Sequence, residues 1–261
     1  MLNCRKTTSQ ETCMRFLSPQ RLMSALTVTF TLGLGLPAAA NTPSFEFWGS
    51  TEFQLMLSPE TDPNLAWHDI IPDRFRVYSE LQFAHDIGLQ QSMLRIGPIW
   101  NLLPWLTVAA HVSSAGMPTS EGRFNQEVRL EFEPSLKGSI TPDLRWANRH
   151  RLEYRMRPDR QFWRYRTRAN MSYHFPDSPW TPFIANEFHF VTDPAYNGNF
   201  GFSQNRAMLG ISYQINPSTQ VSLSYLNRLV HTGTGWIDEN GLFFSLFYAS
   251  NEDGIFQMNA D

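Results

Sequence analysis

The sequence has little cysteine and little lysine. Its two cysteines, Cys4 and Cys13, both lie within the first forty residues. If that segment is removed, the remaining chain has no thiol, which excludes a disulfide scaffold and cysteine chemistry. Beyond residue 40 the only lysine is Lys137, so arginine carries almost all of the positive charge. There is no basic tail or stripe, and the composition therefore does not indicate a nucleic-acid surface.

Long apolar runs are also missing from most of the chain. No segment after residue 40 reaches the roughly 20 apolar residues that a membrane-spanning helix needs. The one apolar run, 22–36, follows a basic segment and precedes Ala38-Ala39-Ala40. This arrangement favours a secretory signal peptide over a membrane anchor. We therefore expect residues 1–40 to be a cleaved signal peptide and residues 41–261 to form one domain.

What the chain contains instead is a series of alternating segments. Polar and apolar residues alternate over about ten positions at a time, between turn residues, which predicts β-strands with two different faces. Residues 127–133 show the pattern clearly, with Glu127, Arg129 and Glu131 alternating with apolar residues. The expected strands are 45–57, 74–84, 92–99, 105–112, 124–133, 144–157, 162–175, 181–191, 205–215, 219–229 and 241–248.

Strands of this length, apolar on one face and polar on the other, are typical of a transmembrane β-barrel. A soluble sheet could show the same period. The signal peptide, the absence of cysteine and the aromatic residues beside several turns favour the barrel. We expect an all-β chain folded as a single antiparallel transmembrane barrel in a bacterial outer membrane, in contact with outer-membrane lipids.

The strand count follows from a parity argument. Bacterial barrels of this type have an even number of strands, whereas eleven segments are evident. A short additional strand at 65–71 would make twelve, and the alternative is ten, with 45–57 outside the wall. The connections 113–123, 192–204 and 230–240 are read as long extracellular loops, which places the last strand's end in the periplasm.

The polar face would line the lumen. The candidate lumen-lining residues are Arg129, Glu131, Glu133, Arg149, Arg151, Glu153, Arg155, Arg164, Arg166, Arg168, Glu187, Arg206 and Arg228. One hypothesis is a passive channel that admits small solutes, anions among them. The alternative is a structural network in which the arginines pair with glutamates across strands and close a narrow barrel.

An enzymatic hypothesis remains as an alternative. Glu187 and His189 share a strand face, and a histidine base beside a carboxylate could act on a lipid or cell-wall substrate by acid–base catalysis. No serine stands at a recognisable spacing and Gly-x-Ser-x-Gly is absent, so no catalytic residue is assigned. The sequence also predicts no metal site and no cofactor, and it does not indicate an oligomeric state.

Several stretches carry a resemblance to a known family. They are GPIWNLLPWLTVAAHV, EVRLEFEP, NRHRLEYR, FWRYRTR, WTPFIANEF and NRAMLGISYQI. Together they resemble the uncharacterised bacterial outer-membrane family called domain of unknown function 2490. The resemblance implies an outer-membrane barrel without an established activity. The segment ENGLFFSLFY is also similar to the C-terminal signal that the barrel-assembly machinery reads, although residues 249–261 follow it.

Overall fold

The computed structural model describes residues 44–57, 72–84, 88–118, 124–192, 201–232 and 234–250. These residues form eleven β-strands. In chain order they are β1 (Ser44–Met56), β2 (Arg74–Ala84), β3 (Gly88–Leu103), β4 (Leu106–Pro118), β5 (Phe124–Ser139), β6 (Leu144–Met156), β7 (Gln161–Tyr173), β8 (Trp180–Val191), β9 (Gly201–Asn216), β10 (Thr219–His231) and β11 (Trp236–Ala249). No helix in the described ranges is long and apolar enough to cross a membrane.

The strands close into a barrel in which neighbours in the chain are neighbours in the wall. Consecutive strands pair antiparallel, and the barrel is closed by β1 against β11. This last pairing is parallel, with Ser50 opposite Ser245 and Glu46 opposite Gly241. The end at which β1 and β11 both begin is called the upper end below. Since β11 finishes at the opposite, lower end, the described chain enters and leaves the barrel at different ends.

The strand positions expected from alternation are confirmed, but a count of twelve is not. Eleven strands are present in the described part of the chain. The segment 65–71, which was expected to supply a twelfth, lies outside the described residues. β1 pairs directly with β2 along eleven positions, and with β11 on its other side, so no further strand separates them in the wall. The parity argument is wrong here because it assumes an antiparallel closure.

The two faces of the wall differ as the alternation predicts. Leu130 and Leu209 point outward and are 48% and 61% exposed, whereas Glu131, beside Leu130, points inward and is 4% exposed. The outer surface is therefore apolar, and the buried interior is largely polar and charged. This is the reverse of a soluble sheet, where the apolar face is the buried one.

Aromatic side chains lie in pairs near both ends of the wall. At the lower end, Trp180 and Tyr213 contact each other with ring centroids 4.6 Å apart. Toward the upper end, Tyr154 lies 4.9 Å from Trp163. Such bands are characteristic of barrels whose ends lie at membrane interfaces, where an amphipathic ring contacts both lipid and water.

The connections are less asymmetric than the sequence indicates. The expected long loop 230–240 is reduced to residues 232–235, because β10 and β11 extend toward each other. At the lower end, β3 and β4 are joined through Pro104 and Trp105, and β9 and β10 through Pro217 and Ser218. β1 also ends, and β2 begins, at the lower end, with residues 57–73 between them in the chain. Loop length therefore gives weaker support for the expected orientation, which stays a prediction.

The parallel closure can be tested by cross-linking. Ser50→Cys combined with Ser245→Cys, in a chain lacking residues 1–40, should form a disulfide, because directly paired strands are about 4.8 Å apart and within disulfide range. The bridge closes a large loop, so the oxidised protein should migrate differently on a non-reducing gel.

The matched control is Ser50→Cys with Ser222→Cys. Ser222 lies in the same row of the wall but one strand further on, at about twice the strand spacing, and should not cross-link. A Ser50–Ser222 bridge, or no bridge from Ser50 to Ser245, would contradict the observed closure.

Candidate functional site

Every charged residue singled out from the sequence points into the barrel. All of them share inward register positions, and most are buried. Arg129, Arg149, Arg151, Arg155, Arg164, Arg166, Arg168, Glu187, Arg206 and Arg228 border an internal cavity. Glu131, Glu133 and Glu153 are also inside and buried, at 4%, 2% and 0% exposure, but they do not border that cavity. The three glutamates lie behind the arginines.

Like charges stand directly opposite each other on neighbouring strands. Arg151 faces Arg166, and Glu131 faces Glu153. Direct like-charge pairs are unfavourable, so the compensating contacts run diagonally or across a strand. Arg166 Nη1 lies 3.0 Å from Glu153, and Arg151 pairs with Glu131 at 3.5 Å. Pairing between arginines and glutamates across strands, one of the two hypotheses from the sequence, is thus present in the described residues.

Glu133 connects strands that are not neighbours in the wall. Its carboxylate pairs with Arg151 on the adjacent strand β6 and lies 4.0 Å from Arg149. It also accepts from Arg76 of β2 at 2.8 Å, across two intervening strands. Arg76 in turn donates to Glu52 of β1 at 2.8 Å. These bonds tie the beginning of the barrel to its middle through the lumen.

Glu187 is the equivalent centre on the other side. Its carboxylate accepts from Arg149 at 2.9 Å and from Arg166 at 2.7 Å, and Arg206 lies 3.6 Å away. His189 Nε2 lies 3.1 Å from the same carboxylate. Because Arg149 contacts both Glu133 and Glu187, the two centres belong to one network.

Trp48 of β1 completes this network around the lumen. The Arg206 guanidinium lies over its ring at 4.6 Å from the centroid, and that of Arg228 at 5.3 Å. Arg228 also donates to Glu46 at 2.7 Å, and Glu46 accepts from the Trp48 indole at 2.8 Å. A cation over an aromatic face is attracted by the ring quadrupole. Arg206 of β9 and Arg228 of β10 are therefore joined to Trp48 and Glu46 of β1, which closes the ring of contacts around the lumen.

Near the upper end, Glu127 forms ion pairs with a separate group of arginines. Arg155 Nη2 lies 2.5 Å from its carboxylate, and Arg129 and Arg157 also donate to it. Glu127 is fully buried, whereas Arg157 is partly exposed. Three cations around one carboxylate leave a local excess of positive charge.

The cavity that these side chains enclose has a volume of about 220 Å³. Its lining includes twelve arginines: Arg76, Arg95, Arg129, Arg149, Arg151, Arg155, Arg157, Arg164, Arg166, Arg168, Arg206 and Arg228. Among the described residues, Glu52, Glu80 and Glu187 are the glutamates that reach it. The pairing thus separates the charges radially, with carboxylates toward the wall and guanidinium groups toward the open space.

The Glu187–His189 pair has the contact that an acid–base pair needs, but not the surroundings. His189 is fully buried and does not border the cavity. With its amide oxygen turned to Arg206, Gln204 donates to the other ring nitrogen of His189 at 3.3 Å. Both imidazole nitrogens and the carboxylate are therefore already bonded to neighbouring side chains, which does not support the enzymatic hypothesis.

One group of side chains has the composition of a metal site. Ligand atoms of His111, Glu131 and Glu133 lie within 4.8 Å of one another. Each carboxylate is already bonded to arginine, Glu131 to Arg95 at 2.7 Å and Glu133 to Arg76 at 2.8 Å. A divalent cation would have to displace these guanidinium groups, so the surroundings do not fit a metal.

Sequence reasoning missed the apolar part of the lumen. Met208 and Leu226 occupy inward positions and are 9% and 1% exposed, as parts of a cluster with Trp48 and Ala185. Phe183 and Phe243 also border the cavity. The alternation of the strand indicates this position, since Met208 lies two residues from Arg206 on β9 and therefore on the same face. It was not among the candidates because only polar inward residues were considered.

Comparisons with known proteins give one family match. A model of the family described as "Protein of unknown function (DUF2490)" matches residues 45–239. No curated protein matches the chain.

Among solved structures, a NanC porin superposes with a TM-score of 0.44 at 13% identity, covering 64% of this chain and 81% of that one. A KdgM porin gives 0.40 at 15% identity, covering 59% and 76%. A KdgM porin in complex with disordered oligogalacturonate gives 0.39 at 17% identity, with the same coverage. At these values the similarity assigns neither a ligand nor a transport activity to this chain.

Because it accepts from several buried arginines, Glu187 should be important for the stability of the folded barrel. Glu187→Gln should lower the free energy of unfolding by about 3 kcal/mol, because it leaves buried guanidinium groups without their counter-charge. The temperature at which the folded band is lost on a heat-modifiability gel should fall accordingly. Asp159→Asn is the control, since the Asp159 side chain is 68% exposed and lies 3.6 Å from Arg160. Equal stability of the two variants would show that the network does not hold the barrel together.

Proposed function

The chain belongs to the DUF2490 family, and on that premise we propose that it is a bacterial outer-membrane channel that admits small anions. The observation that carries the proposal is the radial separation of charge in the lumen. Arginine side chains form most of the charged lining of the cavity, while Glu131, Glu133 and Glu153 are recessed behind them.

Membrane insertion is supported by the outer surface. Large apolar residues point outward on every strand, among them Phe47, Leu94, Leu130 and Leu209. An exposed apolar surface of this extent is unfavourable in water but suits lipid. On β11, the outward row of Leu242, Phe244 and Leu246 supports recognition by the barrel-assembly machinery.

Anion preference is supported by how the arginines are held. A guanidinium has five N–H donors in one plane, so a bond to one carboxylate leaves donors that can serve a passing anion. Arg166 is held between Glu153 and Glu187, at 3.0 and 2.7 Å. It nevertheless borders the cavity. Fixed positive groups in a confined lumen attract anions and repel cations.

The same network of ion pairs limits the size of the solutes that the lumen can admit. The cavity volume of about 220 Å³ corresponds to about seven water molecules, at roughly 30 Å³ each in the liquid. The interior of small barrels is filled by side chains, whereas barrels of 16 strands or more leave wide channels. We therefore infer a narrow, selective passage. The alternative, a structural barrel that the ion pairs seal, predicts no conductance.

The membrane assignment predicts a depth-dependent cost for charge on the outer face. Leu209→Arg should lower the free energy of unfolding from lipid vesicles by about 2–4 kcal/mol, as arginine does at a bilayer midplane. Ile215→Arg, on the same face but beside the lower end of β9, should cost about 0–1 kcal/mol. The measurement is urea titration of vesicle-inserted protein. A soluble barrel would tolerate both substitutions equally.

Channel function is tested in planar bilayers. With a potassium chloride gradient, the wild type should give discrete conductance steps. Its reversal potential should be shifted toward the equilibrium potential of chloride. Arg206→Gln should move the reversal potential toward zero, because it removes one positive group from the lining.

The matched control is Arg160→Gln. Arg160 lies in the turn between β6 and β7, outside the cavity lining, so the same charge change there should leave the selectivity unaltered. A silent wild-type barrel would favour the sealed structural alternative, and a preference for potassium would contradict the anion channel.

A further inference from the structure

The inner surface of β8–β11 and β1 is arranged in layers. One layer toward the upper end is charged: Glu187 pairs in register with Arg206, Arg206 with Arg228, and Arg228 with Glu239. Arg206 and Arg228 both lie over the Trp48 ring, so the two guanidinium groups converge on one place. In the described residues, Arg228 Nε has no hydrogen-bond partner.

Directly below the charged layer the lumen becomes apolar. Ala185, Met208 and Leu226 are register partners, and together with Trp48 they form a buried cluster against which Phe243 packs. The Trp48 and Phe243 rings meet edge to face, with centroids 6.1 Å apart. An apolar surface inside a channel for inorganic ions has no evident use, since such ions gain nothing from it.

Gly210 allows an aromatic ring to join this apolar surface. A Cβ at Gly210 would lie 2.5 Å from Cζ of Phe183 and 2.6 Å from Cβ of Ser224. The Phe183 ring therefore lies across the glycine, where any side chain would displace it. Below this layer the wall is polar again, with Ser212, Ser222 and Ser245 in register.

The lumenal cavity borders both layers, since Arg206, Arg228, Met208, Leu226 and Phe183 all belong to its lining. Its volume is about 220 Å³, and an apolar protein cavity of about 150 Å³ holds a benzene molecule. The cavity can therefore hold a single ring together with its carboxylate group.

We propose that the lumen binds a small monocarboxylate built on a single apolar ring, an aromatic or alicyclic acid of the size of benzoate. Its carboxylate lies at Arg206 and Arg228, and its ring packs on Met208, Leu226 and Phe183. The proposal rests on the anion channel proposed above and specifies its substrate class. A uronate has the same charge and ring size, but its hydroxyls would face Met208 and Leu226 without partners, which is costly.

Isothermal titration calorimetry on the full mature chain in detergent tests this, with benzoate, cyclohexanecarboxylate and glucuronate as probes. Benzoate and cyclohexanecarboxylate should bind at least about tenfold more tightly than glucuronate, as expected for burial of a ring-sized apolar surface. In bilayers, benzoate should also reduce the chloride current at concentrations at which glucuronate does not.

Two neighbouring substitutions separate the ring site from the channel. Met208→Gln places a polar group in the apolar layer and should remove the preference for benzoate over glucuronate, while chloride selectivity stays. Leu209→Gln changes the adjacent, outward residue and should leave both properties unaltered. A heat-modifiability gel confirms that each variant is folded.

The possible failures are distinguishable. If the wild type conducts chloride but binds benzoate and glucuronate equally, or binds neither, the ring site is wrong and the anion channel stands. If the wild type shows neither conductance nor binding of any carboxylate, the proposed function fails, and this inference fails with it.

Discussion

Pairing between guanidinium and carboxylate groups inside a closed wall is the interaction on which the rest of the structure depends. A closed barrel turns every second side chain inward, and in this sequence those positions are rich in arginine and glutamate. Such charges are tolerated in the interior only when they are paired. The register places like charges side by side, as with Arg151 and Arg166, so the bonds must reach diagonally and across strands. Those longer contacts tie distant parts of the wall together.

The same pairing accounts for the character of the lumen. A glutamate side chain is short, and when it accepts from several arginines it is covered by them, as Glu153 is by Arg164 and Arg166. The longer arginine side chains then present their outer edges to the cavity. A network that is structural in origin thus also surrounds the cavity with positive charge, and the structural and channel hypotheses describe two consequences of one arrangement. They differ in whether the remaining space admits a solute.

Much of the fold could be predicted from the sequence, because alternation is a local property. The faces of β5, β6 and β7 follow from reading every second residue, and so does the inward position of Arg151 or Glu187. The closure of the barrel could not be predicted, since the parallel contact of β1 with β11 joins residues nearly 200 positions apart and has no local signal. Contacts such as Arg76 with Glu133 depend on barrel size and tilt. The apolar layer around Met208 and Leu226 was missed for another reason: inward positions were assumed to be polar.

The central claim is that guanidinium groups face the open lumen while most carboxylates are recessed. A crystal structure of the mature chain soaked in bromide, with data collected at the bromine absorption edge, tests it most directly, because anomalous scattering locates the anions without assumptions about conductance. The account predicts bromide inside the barrel, within contact distance of Arg206 or Arg228. Bromide found only outside the barrel, or a lumen whose cavity is bordered by glutamate oxygens, would contradict it.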